Sequence, residues 1–225
     1  MARQRCCSLQ GVDQVKTIQE RSLGILRSVS AIVTGHFVLA SLLHAETYIN
    51  KDAVYMYPRK ISLLCRYIAG HFAKDDIEVI VAPATGGVIL SQWVAYHLSK
   101  ITRKEILAIY AEKDEAGGFV IKRGYEKAIK GKRILVVEDI LTTGGSVKKV
   151  VELVRVHGGI VVGLGTLCNR GGVTSTNVAD LPKFFALIDI DVKTWTEEKC
   201  PLCAKGVRVN TNLGKGKEYL AKKGN

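Results

Sequence analysis

Two adjacent carboxylates end an apolar run in the segment RILVVEDILTTGGS, residues 133–146. Glu138 and Asp139 precede a turn of hydroxyl residues and glycines, namely Thr142, Thr143, Gly144, Gly145 and Ser146. Carboxylates accept hydrogen bonds from sugar hydroxyls or hold a divalent cation. Backbone N–H groups at a helix start bind phosphate. Taken alone, TGG is a turn with a helix cap, but together with the two acids it predicts a site for ribose 5-phosphate.

The elements around this segment alternate between short apolar runs and helical patterns. The runs IEVIVAP, EILAIY, RILVVED, GIVVGLGTLC and FFALIDI predict strands. Helical patterns follow Pro58, Val88 and Ser146. This alternation is typical of a mostly parallel sheet with helices on both faces, an α/β fold. Ligands of such sheets bind at the carboxyl ends of the strands, where Glu138 and Asp139 are expected.

The flanking regions are less regular, and we predict three segments. Residues 1–60 would form an N-terminal helix and hood, 61–195 the α/β core, and 196–225 a basic tail. Apolar residues from Val15 to Val33 recur at helical spacing, which predicts a helix up to Gly35. The polar stretch from Ala111 to about Lys122 predicts a long loop, and loops of this length are usually lids or disordered.

Length and composition fit a globular protein with a sizeable core, with 225 residues of which 47% are hydrophobic. No apolar run reaches the roughly 20 residues that a membrane-spanning helix needs. The first residues do not read as a secretory signal. We therefore expect a cytoplasmic protein without a membrane partner.

The cysteines do not form a disulfide framework, so we expect reduced thiols. They are Cys6, Cys7, Cys65, Cys168, Cys200 and Cys203. Cys200 and Cys203 have the spacing of zinc ligands, but a structural zinc normally needs four ligands and the sequence has no second pair at matching spacing. No metal ligand is therefore assigned to a side chain.

The net charge of +12 suits either a nucleic acid or a small polyphosphate ligand. A good part of the excess lies in residues 200–225, where a solvated basic tail is the simpler interpretation. We do not expect a nucleic-acid partner, although a regulator that binds nucleic acid stays open as an alternative.

The segment VVEDILTTGGS resembles the phosphoribosyl-pyrophosphate (PRPP) signature of type I phosphoribosyltransferases. The resemblance implies that Glu138 and Asp139 contact the ribose hydroxyls and that residues 142–146 hold the 5-phosphate. It also implies a pyrophosphate loop in VAPATGG, where Ala84, Thr85 and Gly86 would offer N–H groups to a diphosphate that Mg²⁺ also coordinates.

Other segments resemble the orotate phosphoribosyltransferases of this family. GHFVLASLLHAETY is similar to the hood over the base, which implies a base contact by Phe37. TLCNRGG is similar to a motif whose arginine binds the orotate carboxylate, which implies that role for Arg170. The polar loop is similar to a catalytic lid, where Lys113 would meet the departing pyrophosphate, Glu115 replaces a histidine, and Lys122 and Arg123 could add positive charge.

The resemblance implies an enzyme that transfers ribose 5-phosphate from PRPP to orotate, forms orotidine 5'-monophosphate and pyrophosphate, and acts as a homodimer. Two alternatives stay open. One is a phosphoribosyltransferase for a purine base, and the other is a non-catalytic PRPP sensor that binds nucleic acid.

Overall fold

The computed structural model describes residues 9–223, with side chains from Thr17 onward. Cys6 and Cys7, and the first eight residues of the predicted N-terminal segment, lie outside the described residues. The helices are α1 (Leu9–Arg27), α2 (Asp52–Tyr55), α3 (Pro58–His71), α4 (Gly86–Thr102), α5 (Gly145–Val156), α6 (Pro201–Ala204) and α7 (Gly216–Lys223). The strands are β1 (Ile32–Val38), β2 (His44–Ile49), β3 (Val79–Pro83), β4 (Leu107–Lys113), β5 (Phe119–Val120), β6 (Arg133–Leu141), β7 (Ile160–Asn169), β8 (Phe184–Asp189) and β9 (Thr194–Trp195).

The chain divides into two compact units. The larger comprises Tyr57–Ile190 with the described residues up to Leu23, and the smaller comprises Gly24–Met56 and Asp191–Asn225 as far as residue 223. This division differs from the three predicted segments, because the C-terminal residues belong to the same unit as the segment around β1 and β2. Among the described residues, no helix has the length and apolar character that crossing a bilayer requires.

A six-stranded sheet organises the larger unit, in the order β5-β4-β3-β6-β7-β8. All its pairings are parallel except β4 with β5. Every residue of β3 is buried, as expected for a strand covered on both faces. The apolar face of α5 is buried as predicted, through Val147, Val150, Val151 and Val154. The predicted α/β fold is confirmed.

The predicted lid loop contains a β-hairpin, so the loop interpretation was wrong at residues 111–113 and 119–120. Lys113 of β4 pairs with Phe119 of β5. The Gly118 N–H donates a hydrogen bond to Oδ1 of Asp114 at 2.6 Å, and Gly117 has a φ of +77°, so the turn is tight. The ring of Phe119 is buried in the core of the larger unit, and this burial stabilises the pairing of β5 with β4.

The smaller unit is built on a three-stranded antiparallel sheet, in the order β1-β2-β9. The predicted helix up to Gly35 is wrong at its C-terminal end, because α1 ends at Arg27. Ser30 has a φ of +55°, and the Ala31 N–H donates to the Leu26 carbonyl at 2.9 Å, a Schellman-type termination. The β-branched residues that follow pair with β2 instead of extending the helix.

Candidate functional site

The register of the large sheet brings the two predicted ligand loops to one edge. β3 lies between β4 and β6, and both pairings are parallel. Val81 pairs with Val136, so Pro83 and Glu138, each two residues further on, reach the same level. After β3 the chain forms β4 on one side of it, and β6 then pairs with β3 on the other side. The order of the strands therefore reverses between β3 and β6, which makes this position the switch point of the sheet. Parallel sheets bind ligands at such a point.

The turn after β6 has the geometry of a phosphate loop. Gly144 has a φ of +77°, and a Cβ atom there would lie 2.8 Å from Cγ1 of Val178, so only glycine fits without displacement. The Lys148 N–H donates to the Gly144 carbonyl at 2.8 Å, which is the first turn of α5. The preceding N–H groups lie at the positive end of the helix dipole. A cavity of about 60 Å³ lies here, lined by Glu138 and residues 140–147.

A neighbouring turn supports this loop by close backbone packing. A Cβ atom added at Gly171 would lie 1.6 Å from the carbonyl oxygen of Thr142, inside the van der Waals radius of that atom. The position after Arg170 therefore has to be glycine if the loop is to keep its path. The sequence motif alone gave no reason for this glycine.

Glu138 and Asp139 are almost fully buried at the edge of the sheet, with exposures of 8% and 4%. Oε1 of Glu138 accepts a hydrogen bond from the Asp139 N–H at 2.9 Å, and Oδ1 of Asp139 accepts one from the Ile140 N–H at 2.7 Å. Glu138 lines the phosphate cavity, and Asp139 is the next residue of β6 at the same edge of the sheet.

The predicted pyrophosphate loop joins β3 to α4. Its Ala84–Thr85 peptide bond is cis. The Ala84 N–H donates a hydrogen bond to the Ala111 carbonyl at 2.8 Å. Because this N–H already has an acceptor, the structure does not favour the predicted hydrogen bond from Ala84 to the diphosphate. Thr85 is exposed at the start of α4. The predicted diphosphate contacts of Thr85 and Gly86 stay predictions.

The hairpin carries the predicted lid cations on its surface. Lys113 is exposed at the end of β4, and Lys122 is exposed after β5. Arg123 forms an ion pair with Glu112, with 2.8 Å between Nε and Oε1. The hydrogen bond that Arg123 donates to Glu112 raises the pKa of Arg123. Lys149 of α5 donates to the Gly117 carbonyl at 2.7 Å, a tie between the hairpin turn and the helix that sequence reasoning missed.

Arg170 follows β7 at the same edge of the sheet, and its N–H donates to the Leu141 carbonyl at 3.0 Å. Asn169 fixes the turn, since its amide Nδ2 donates to the Val173 carbonyl at 3.0 Å and to Oδ1 of Asp189 at 2.9 Å. Within the described residues, the Arg170 guanidinium makes no hydrogen bond or ion pair. Sequence reasoning missed the positioning role of Asn169, a polar residue that ends a buried strand.

The described thiols of the larger unit, Cys65 and Cys168, do not have the properties of nucleophiles. Burial raises the pKa of Cys168 to about 12, and it also raises the pKa of Cys65. The reactive form of cysteine is the thiolate, which is scarce at neutral pH when the pKa is so high. Covalent catalysis by these residues is therefore disfavoured.

The predicted hood segment belongs to the smaller unit. Phe37 has an exposure of 0%, and its ring packs against Tyr48 with centroids 5.4 Å apart. The ring has no exposed surface in this structure, so the predicted base contact of Phe37 stays a prediction. The turn at residues 40–43 lines a cavity of about 740 Å³ together with residues 196–198 and several side chains of the segment 215–223.

Comparison with known proteins identifies relatives over most of the chain. The profile of the phosphoribosyl transferase domain family matches residues 55–198. The orotate phosphoribosyltransferase of Caldanaerobacter subterraneus subsp. tengcongensis is 37% identical over 190 residues, which cover 84% of this chain and 94% of the relative. That of Pelotomaculum thermopropionicum is also 37% identical, with the same coverage of both chains.

Solved structures share the fold at lower identity. The crystal structure of Mycobacterium tuberculosis orotate phosphoribosyltransferase in complex with Fe(III) dicitrate superposes with a TM-score of 0.62 at 23% identity. The superposition covers 77% of this chain and 97% of that one. At this identity the likeness supports the fold alone.

Proposed function

Because this chain belongs to the phosphoribosyl transferase family, with orotate phosphoribosyltransferases among its relatives, we propose that it transfers ribose 5-phosphate from PRPP to orotate. The products are orotidine 5'-monophosphate and pyrophosphate, a step of pyrimidine biosynthesis. The observation that carries the proposal is the phosphate loop next to two buried acids at the switch point of the sheet. The relatives favour this reaction over the purine enzyme and the non-catalytic regulator.

The larger unit supplies the proposed PRPP site. The 5-phosphate binds the loop at residues 142–146, which carries three hydroxyl residues and leads into the first N–H groups of α5. The carboxylates of Glu138 and Asp139 accept hydrogen bonds from the ribose hydroxyls. Thr85 and Gly86 bind the diphosphate from the adjacent strand, since β3 and β6 are neighbours.

Mg²⁺ fits this site as a companion of PRPP. Oxygen atoms are the ligands that Mg²⁺ prefers, and it usually binds one or two carboxylates together with substrate phosphates. Glu138 and Asp139 are buried carboxylates near the end of β6, the strand that pairs with β3 and thus neighbours the proposed diphosphate loop. The ion would neutralise charge on the leaving pyrophosphate.

The reaction needs no protein nucleophile. A ring nitrogen of orotate forms a bond to C1 of the ribose while the bond from C1 to the pyrophosphate oxygen breaks. Positive charge develops on the sugar and negative charge on the leaving group. The chain contributes by positioning the reactants and by aiming N–H groups and cations at the leaving group.

We assign Lys113 to the leaving pyrophosphate, because it is exposed at the carboxyl end of β4, next to the β3 loop. Lys122 and Arg123 are secondary candidates on the same hairpin. Glu112 already neutralises part of the Arg123 charge. The hairpin turn carries Glu115 in place of the histidine of related lids.

The direct test of the proposed reaction is an assay of pyrophosphate release from PRPP in the presence of Mg²⁺. Orotate, adenine, guanine and hypoxanthine are each supplied in a separate reaction. We expect release with orotate alone. Release with a purine alone would support the purine alternative instead, and PRPP binding without turnover on any base would support the regulator.

Arg170 is the proposed ligand of the orotate carboxylate, because a planar guanidinium binds a carboxylate through two parallel hydrogen bonds. Arg170→Ala is expected to raise the KM for orotate on the order of 10-fold or more, since hydrogen bonds between charged groups are lost. The KM for PRPP should change far less. Steady-state kinetics with each substrate varied in turn measure both values, and Arg155→Ala, on the exposed face of α5, serves as control. Equal increases in both constants would refute the assignment.

The proposed enzyme acts as a homodimer in the cytoplasm. An apolar stripe on α4 supports self-association, because Ile89 and Tyr96 are exposed on one face with Trp93 between them. Light scattering after gel filtration measures the mass in solution. The cytoplasmic location stays a prediction.

A further inference from the structure

Four metal-ligating side chains converge inside the smaller unit. His36 lies in β1, His44 begins β2, and Cys200 and Cys203 flank Pro201 and Leu202 at α6. One nitrogen or sulfur atom of each lies within 4.8 Å of those of the other three. His36, His44 and Cys200 are at most 2% exposed, and Cys203 is half-buried.

The three nitrogen–sulfur distances in this His-Cys cluster are close to those of a tetrahedral metal site. Sγ of Cys203 lies 3.3 Å from Nδ1 of His44 and 3.7 Å from Nε2 of His36, and Sγ of Cys200 also lies 3.7 Å from Nε2 of His36. Zinc bonds of about 2.0–2.1 Å to nitrogen and about 2.3 Å to sulfur, at a tetrahedral angle, separate the two atoms by roughly 3.6 Å. Three nitrogen–sulfur pairs therefore already have nearly this spacing, whereas the two histidine nitrogens, 2.8 Å apart, would separate slightly on binding an ion.

The outer contact of His36 orients its ring for metal binding. Its Nδ1 lies 2.7 Å from the Val207 carbonyl oxygen, an acceptor that requires the proton to be on Nδ1. Nε2 therefore has a lone pair directed into the cluster, where Nδ1 of His44 is 2.8 Å away. A hydrogen bond from the second ring nitrogen to a carbonyl is the usual support of a metal-bound histidine.

We propose that His36, His44, Cys200 and Cys203 bind one structural Zn²⁺ ion. Two thiolates balance the charge of the ion and two neutral imidazoles complete the shell, so a buried site has no net charge. Two sulfur and two nitrogen ligands in tetrahedral geometry select zinc among common divalent ions. All four positions are filled by the protein, as in structural sites, and none is left open for a substrate.

The ion would tie the C-terminal segment to the β1–β2 hairpin. His36 and Cys200 are 164 positions apart in the chain. The same two regions are joined by backbone hydrogen bonds, from the Asn210 N–H to the His36 carbonyl and from the Lys215 N–H to the Val38 carbonyl, each at 2.7 Å. The turn between the two histidines lines the cavity of the smaller unit. Zinc would therefore fix this turn and the C-terminal segment as one body.

Metal analysis of the full chain, purified under reducing conditions without a histidine tag, tests the proposal. We expect one zinc ion per chain. After removal of zinc by a chelator, addition of Co²⁺ should produce the visible absorption bands of a tetrahedral site and the near-ultraviolet band of cobalt–thiolate bonds. Chelation should also speed proteolysis of the C-terminal segment, and added zinc should restore resistance.

Ligand variants and matched controls separate this site from adventitious binding. Cys200→Ser and Cys203→Ser should lose the zinc and the cobalt–thiolate band. Cys65→Ala and His157→Asn, which change a thiol and an imidazole of the larger unit, should keep both. If a ligand variant does not fold, the zinc content and the cobalt spectrum of the unaltered chain still decide the matter.

Two results would overturn the proposal. One is a reduced, unaltered chain that retains no zinc after dialysis against a zinc-containing buffer. The other is a disulfide between Cys200 and Cys203 that persists in the reduced preparation, because thiols held in that bond cannot bind the ion.

Discussion

Asp139→Asn is expected to lower kcat/KM for PRPP by roughly 10- to 100-fold while the fold stays intact. A hydrogen bond that involves a charged group contributes about 1.5–3 kcal/mol, and an asparagine amide cannot replace both acceptor oxygens of the carboxylate. Asparagine has nearly the same shape as aspartate, so the buried position, 4% exposed, should tolerate it. Initial rates of pyrophosphate release over a range of PRPP concentrations measure the effect.

Asp180→Asn is the matched control for this substitution. Asp180 is exposed and has a φ of +49°, a conformation that asparagine also adopts readily. Its kinetics should match those of the unaltered chain. If Asp139→Asn left the kinetics unchanged while circular dichroism reported a native fold, the role of Asp139 at the ribose would be wrong.

Gly171→Ala is expected to raise the KM for PRPP strongly and to destabilise the larger unit. The new Cβ atom would lie 1.6 Å from the Thr142 carbonyl oxygen, so the backbone of the phosphate loop has to move. Overpacking of this kind costs about 1–3 kcal/mol, and displaced N–H groups lose their alignment with the phosphate. Thermal unfolding and PRPP titration calorimetry measure the two effects separately.

Gly70→Ala provides the control for the glycine substitution. Gly70 lies in α3, where no heavy atom stands within 4 Å of the added Cβ, and alanine favours a helix over glycine. We expect unchanged PRPP affinity and equal or higher stability. Normal PRPP binding by Gly171→Ala would mean that the loop does not depend on this packing.

The PRPP motif could be read from the sequence because its geometry is local. The residues from the end of β6 to the start of α5 are contiguous, and strand, left-handed glycine and helix start together arrange the loop. The same holds for the buried faces of α3 and α5, where helical spacing determines which residues meet the sheet. The fold class followed from the order of such elements.

Contacts between segments that are distant in the chain determined the features that the sequence analysis did not predict. Strand pairing replaced the predicted loop at residues 111–113 and 119–120, because Phe119 is buried in the core of the larger unit. Phe37 became a core residue through packing on Tyr48 of the paired strand.

The His-Cys cluster shows most clearly the difference between local sequence patterns and contacts that form only in the folded chain. The metal-ligand spacing of Cys200 and Cys203 was visible in the sequence, because local backbone geometry keeps two residues three positions apart close together. Only the tertiary structure brought His36 and His44 to them, since strand pairing and docking of the C-terminal segment join regions that have no regular spacing along the chain.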